Sequence, residues 1–200
     1  WSGLGAGLPG GQNGLMRMVL HDHGQGPQLT VSGCFGVPNQ PSEAPRVARW
    51  TGSEWVQVGS TLPGDYSEYV NSMVVFPGPA GPALHIGGQF DFTFGSHAAR
   101  LDNGAWVKLG GGVNSTVRSM VTTEEGGSRI LYSSGWFSIA GTSTANRVAR
   151  WDGQQWAGLE PGSMGLAGST GHDGQAAAVF DDGSGERVFV GGHFRTAGDR

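Results

Sequence analysis

One seven-residue pattern recurs four times along the chain, and a period of that kind constrains the fold more than any local reading does. The segments are Leu29-Thr-Val-Ser-Gly-Cys-Phe35, Leu84-His-Ile-Gly-Gly-Gln-Phe90, Leu131-Tyr-Ser-Ser-Gly-Trp-Phe137 and Val188-Phe-Val-Gly-Gly-His-Phe194. Their closing phenylalanines stand 55, 47 and 57 residues apart. A second motif follows the first three: Arg46-Val-Ala-Arg-Trp50-Thr-Gly-Ser-Glu-Trp55, His97-Ala-Ala-Arg-Leu101-Asp-Asn-Gly-Ala-Trp106 and Arg147-Val-Ala-Arg-Trp151-Asp-Gly-Gln-Gln-Trp156. The closing tryptophans are 51 and 50 residues apart, and Trp1 falls in phase 54 residues before the first. The units therefore run about 1–55, 56–106, 107–156 and 157–200, the last incomplete.

Composition decides what such a unit is made of. Glycine supplies 38 of 200 residues, only 14% are charged, and 7 Trp, 9 Phe and 3 Tyr are spread among the glycines. These proportions exclude a coiled coil, a helical bundle, a charge-rich disordered chain and collagen. They leave an all-β, turn-rich chain. In the third unit, Arg118 to Thr123 and Arg129 to Ser133 are strands separated by the turn Glu124-Glu-Gly-Gly127, followed by a polar loop from Ser138 to Asn146. Arg147 to Trp151 and Gln155 to Leu159 are the remaining strands, joined at Asp152-Gly153. Apolar or small side chains lie on both faces of the resulting four-stranded sheet, so both faces must be covered. Radial stacking of like sheets does this, with Trp and Phe filling the wide outer wedge and Gly allowing close approach. The expected architecture is a β-propeller of four-stranded blades, each about 50 residues, with at least four blades.

At these residues the chain resembles the kelch and galactose-oxidase-like β-propellers, whose blades also carry an apolar run ending in Gly-Gly and a later tryptophan. Phe180-Asp-Asp-Gly-Ser-Gly185 and Val148-Ala-Arg-Trp-Asp-Gly153 look like units of bacterial, planctomycete-like secreted repeat proteins. The resemblance spans the chain and implies a location outside the cell or at its surface, without a catalytic assignment. The departures are Leu101 in place of Trp, and Ser32 and Ser134 in place of the first Gly.

Several function classes are excluded by counting. One Lys (Lys108) among 12 basic residues and a net charge of -4 leave no basic patch for nucleic acid. No apolar run approaches the roughly 20 residues of a membrane-spanning helix. Cys34 alone makes no disulfide, and no Cys/His spacing fits zinc. The copper site of galactose oxidase needs a Tyr–Cys crosslink that Tyr66, Tyr69, Tyr132 and Cys34 do not suggest, and no Gly-x-Ser-x-Gly elbow or phosphate loop is present. The expectation is thus no enzyme activity and no cofactor. His21, Asp22 and His23 are the weak metal candidates, on a hairpin turn where polar residues are the default. Asp181 to Glu186 reads as a solvated turn, and Arg49, Arg100 and Arg150 are expected to pair with carbonyls or acids between blades.

Recognition is expected where the units differ. The residue before each recurring Phe is Cys34, Gln89, Trp136 or His193, and the loops Gly36 to Ala44, Asp91 to Ser96, Ser138 to Asn146 and Arg195 to Asp199 vary around it. Trp136, His193 and Gln89 are the candidate ligand-binding residues. The reading is a non-catalytic extracellular binding or scaffold module that recognises a glycan or a protein. The alternative is the propeller domain of a larger secreted enzyme, oxidase or glycan-active, with its catalytic residues elsewhere. Self-association through the incomplete terminal unit is a further expectation.

Overall fold

Strands β1 (Leu15–Asp22), β2 (Pro27–Val37), β3 (Gln40–Trp50) and β4 (Trp55–Gln57) form one antiparallel sheet, each strand pairing with the next in sequence. A second sheet repeats the arrangement with β5 (Tyr69–Gly78), β6 (Gly81–Gln89), β7 (Ala98–Asp102) and β8 (Ala105–Lys108). The third is built from β9 (Val117–Glu125) and β10 (Ser128–Gly135), interrupted by a small hairpin of β11 (Ile139–Ala140) and β12 (Ser143–Thr144), and completed by β13 (Val148–Trp151) and β14 (Trp156–Gly158). After the short β15 (Leu166–Ala167), a terminal hairpin of β16 (Asp173–Asp181) and β17 (Glu186–His193) follows, and β18 (Thr196–Ala197) pairs back onto β15. The computed structural model describes residues 3–8, 14–37, 40–62, 69–91, 96–159, 165–167 and 173–197, and no helix occurs among them. Trp1, Asp199 and Arg200 lie outside the described residues, as do 38–39 and 92–95 within two of the variable loops.

Two expected loops are partly ordered strand. In the first unit β2 and β3 extend until Val37 pairs with Gln40, so most of Gly36 to Ala44 is a hairpin arm. Within Ser138 to Asn146, Ile139 pairs with Thr144, and Ala140 also bridges to Val113. The side chain of Asn114 explains why this segment is held: its Oδ1 accepts from the amides of Ser138 and Ile139, both at 3.0 Å. Among the described residues the repeated arginines bond within their own sheets and not between sheets. Arg49 donates to Gln28 at 2.6 Å, Arg100 pairs with Asp102 at 3.3 Å and Arg150 with Glu125 at 3.3 Å.

The sheets are stacked in chain order through their first strands: β1 lies against β5, β5 against β9, and β9 against β16. Alternation along each strand assigns one face to the preceding sheet and one to the following. Val19 thus packs into the cluster of Met73, Leu84, Ile86 and Trp106 in the second sheet, while Val74 and Phe76 pack into that of Met120, Leu131, Trp151 and Trp156 in the third. Side-chain hydroxyls also cross between sheets. The amide of Met120 donates to Ser72 Oγ at 2.8 Å, and the amide of Ala177 donates to Ser119 Oγ at 3.1 Å.

At the outer end the glycine after each last strand lets the next sheet's indole sit close. A Cβ on Gly59 would meet Trp106 Nε1 at 2.5 Å, and one on Gly110 would meet Trp151 Cζ3 at 2.5 Å. The indole of Trp156 then donates to the carbonyl of Leu109 at 2.8 Å.

His85 is buried in the second-to-third junction, edge-on to Phe76, with ring centroids 5.4 Å apart. Its Nδ1–H donates to the Ala83 carbonyl at 3.1 Å, whereas its Nε2 has no partner. Burial pushes its pKa down to about 4 from 6.5. The folded state therefore favours the neutral ring, so this stability is full above the unfolded pKa of 6.5 and drains as pH falls from there towards about 4. The loss expected across that window is about 3 kcal/mol. Urea midpoints at pH 7.5 and 4.5 measure it, and a His85→Gln chain with the same acid-side fall as wild type would refute the assignment.

Candidate functional site

Every unit carries a β-bulge at the same place, where the first strand begins and the second ends. The pairing register shifts between Leu15 and Arg17, between Val70 and Ser72, between Ser134 and Gly135, and between Gly174 and Ala176. The extra residues are Met16, Asn71, Arg118 and Gln175. The second glycine of each recurring pattern makes the bulge feasible. A Cβ on Gly33, Gly88, Gly135 or Gly192 would run into the carbonyl oxygen of Gly14, Tyr69, Thr116 or Asp173 respectively. That carbonyl bends over the glycine to accept from the next amide, as Trp136 N to Thr116 O shows at 2.9 Å and Cys34 N to Gly14 O at 3.3 Å.

A bulge re-aims side chains, and here it sets the extra residue beside the variable one. The Arg118 guanidinium lies over the Trp136 ring, 5.3 Å from its centroid. Trp136 is 50% exposed. Arg118 Nε is 3.7 Å from Oδ2 of Asp173, a carboxylate contributed by the terminal hairpin and 2% exposed. Asp173 is the register partner of His193, and Gln175 Nε2 donates to His193 Nδ1 at 3.2 Å, which places the ring proton on Nε2. Trp136, Arg118, Asp173, His193 and Gln175 thus form a continuous rim across two adjacent units.

Of the residues singled out from sequence, Trp136 and His193 are exposed on this rim. Gln89 occupies the same position in the second unit and is half-buried, while Cys34 is fully buried. Arg118, Asp173 and Gln175 were not legible as site residues. The available signal was that Asp173 puts a carboxylate where Thr116 and Tyr69 stand in the two preceding units.

His21, Asp22 and His23 lie at the opposite, hairpin end of the strands. Asp22 Oδ1 accepts from the amides of Gly24 and Gly26 at 2.7 and 2.9 Å, and the first of these bonds is the main reason its pKa is lowered. His23 Nε2 is 2.9 Å from Thr30 Oγ1, and burial, with His21 and Arg49 nearby, takes its pKa down to about 4. The rings of His21 and His23 meet edge-on at 4.6 Å. Among the described residues, no three His, Cys, Asp or Glu side chains converge on a metal position. The Asp181 turn copies the Asp22 turn, its Oδ1 accepting from Gly183 and Gly185 at 2.8 and 3.0 Å. Glu186 bonds across to Thr123 Oγ1 at 2.9 Å and Glu124 N at 3.0 Å, and these bonds hold its pKa down.

No family model, curated protein or solved structure matches the chain. No helix among the described residues is long and apolar enough to cross a membrane.

Proposed function

We propose that the chain is a non-catalytic binding module, a kelch-like β-propeller segment whose sheets are its blades, which recognises a glycan outside the cell or at its surface. The observation that carries the reading is the half-exposed Trp136 indole braced by Arg118. An apolar ring held rigid at a surface is a platform for the C–H face of a sugar. Planar polar groups further along the rim, Gln175 and His193, suit its hydroxyls. The blade reading is supported by three like four-stranded meanders and by the stacking of successive first strands.

A glycan array followed by calorimetric titration of the hits tests the proposal. Trp136→Ala is expected to weaken binding about tenfold or more while changing stability by no more than about 0.5 kcal/mol, as suits an exposed side chain. Unchanged affinity in that variant, or hits confined to peptides, would overturn the glycan reading.

A further inference from the structure

The stack of sheets leaves one face open at each end, and the two open faces are the two halves of a junction that the chain makes three times internally. On β1 the residue in register with Val31 is Met18, which is 63% exposed. Its counterparts Met73 and Met120, in register with Ile86 and Ser133, are 3% and 4% exposed because the preceding sheet covers them. Leu20, on the same face of β1, is 70% exposed.

At the other end Phe180 and Phe189 meet edge-on at 6.4 Å. They repeat the pair Phe76 and His85 of the second sheet. Under the third sheet that pair is 2% and 0% exposed, whereas Phe180 and Phe189 are 60% and 52% exposed. The glycines agree: a Cβ on Gly87 would strike Val117 Cγ1 at 2.5 Å, but one on its counterpart Gly191 would meet nothing within 4 Å.

We infer that the outer face of the terminal hairpin β16–β17 docks on the open face of β1 in a second copy of this chain. Each chain carries both halves, and the second-to-third junction, where Phe76 and His85 lie under the face of Met120, shows how such a pair of faces fits. The contact is heterologous, head to tail, so two copies close into a ring if the rotation per sheet allows it, and more copies form an open row if it does not. Met18, Leu20, Phe180 and Phe189 become buried in either case, as Met73 and Phe76 are within the chain. The inference uses the strand faces and is independent of the glycan reading of the rim.

Light scattering across about 1 to 100 µM, with two charge-inserting variants, tests it. Wild type is expected to reach at least twice the 20.8 kDa chain mass. Met18→Asp and Phe189→Asp should each remain at the monomer mass and still unfold in one cooperative, concentration-independent transition, since both side chains are exposed in the monomer. Met18→Asp retains the hairpin face and Phe189→Asp retains the β1 face, so mixing the two should restore a one-to-one dimer through a single junction. A monomeric wild type at the highest concentration would overturn the inference. So would a dimer that either variant alone still forms, or a mixture that stays monomeric.

Discussion

Replacing Trp156 with alanine is expected to lower the unfolding free energy by about 3–5 kcal/mol. The side chain is 5% exposed and packs against Trp151, with ring centroids 5.3 Å apart. It closes the outer end of the second-to-third junction by donating to the Leu109 carbonyl. The hydrogen-bond share can be separated from the packing share. Trp156→Phe keeps most of the ring but removes the indole donor, at a cost of about 0.5–1.5 kcal/mol, because the Leu109 carbonyl still accepts from the Gly112 amide at 3.0 Å. Trp106 holds the same place one sheet earlier, 3% exposed, yet its Nε1 has no acceptor. Trp106→Phe therefore removes a buried unsatisfied donor, and its cost should be clearly smaller than that of Trp156→Phe. Urea unfolding with a constant m value resolves the difference. Equal costs for the two phenylalanine variants would show that the Trp156 bond contributes nothing.

Gly135→Ala is expected to destabilise by about 2–4 kcal/mol, because the new methyl group meets the main-chain oxygen of Thr116, which cannot swing aside. Two other glycines of the same pattern give the scale. At Gly87 the methyl meets Val117 Cγ1 at 2.5 Å and Met120 Cε at 2.8 Å, side-chain atoms that can shift. The cost there should be lower, about 1–3 kcal/mol. At Gly191 nothing lies within 4 Å inside the chain, and in the monomer alanine should be neutral or mildly stabilising through the lost backbone entropy of the unfolded chain. The expected order is Gly135, then Gly87, then Gly191. Because the Gly135 bulge also aims Arg118 at Trp136, that variant should lose ligand affinity as well. A Gly135→Ala protein of wild-type stability would mean that the bulge can be ironed out, and the rim would then not be a rigid platform.

The period, the strand pairs and the closing tryptophans were legible because they are repeated: alternation and turn chemistry say the same thing in each unit. Phe35, Phe90 and Phe137 are buried as such a pattern demands. The bulges were not legible, because an extra residue in one strand shows only when its partner strand is aligned beside it. Arg118 therefore read as an ordinary strand position, although the bulge is what turns it to the rim. Side-chain bonding partners were equally hidden. Arg150 finds Glu125 of its own sheet through the pairing of β9, β10 and β13, a distance no spacing rule gives. The residues flanking Ala140 looked like a polar loop since the partner that orders them, Asn114, lies 24 residues earlier.

The hydroxyls of Ser72 and Ser119 have a consequence for solubility. The first strand of each sheet is an edge strand, and an edge with free amides is a template on which a foreign strand adds and a fibril grows. In this chain the amides of Met120 and Ala177 on two of those edges are already taken by serines buried at 2% and 5% exposure. On β9 and β16, one edge amide each is thereby closed to a foreign strand by a single oxygen atom. Losing either serine to alanine would reopen a docking place for an unrelated strand while removing almost no apolar packing.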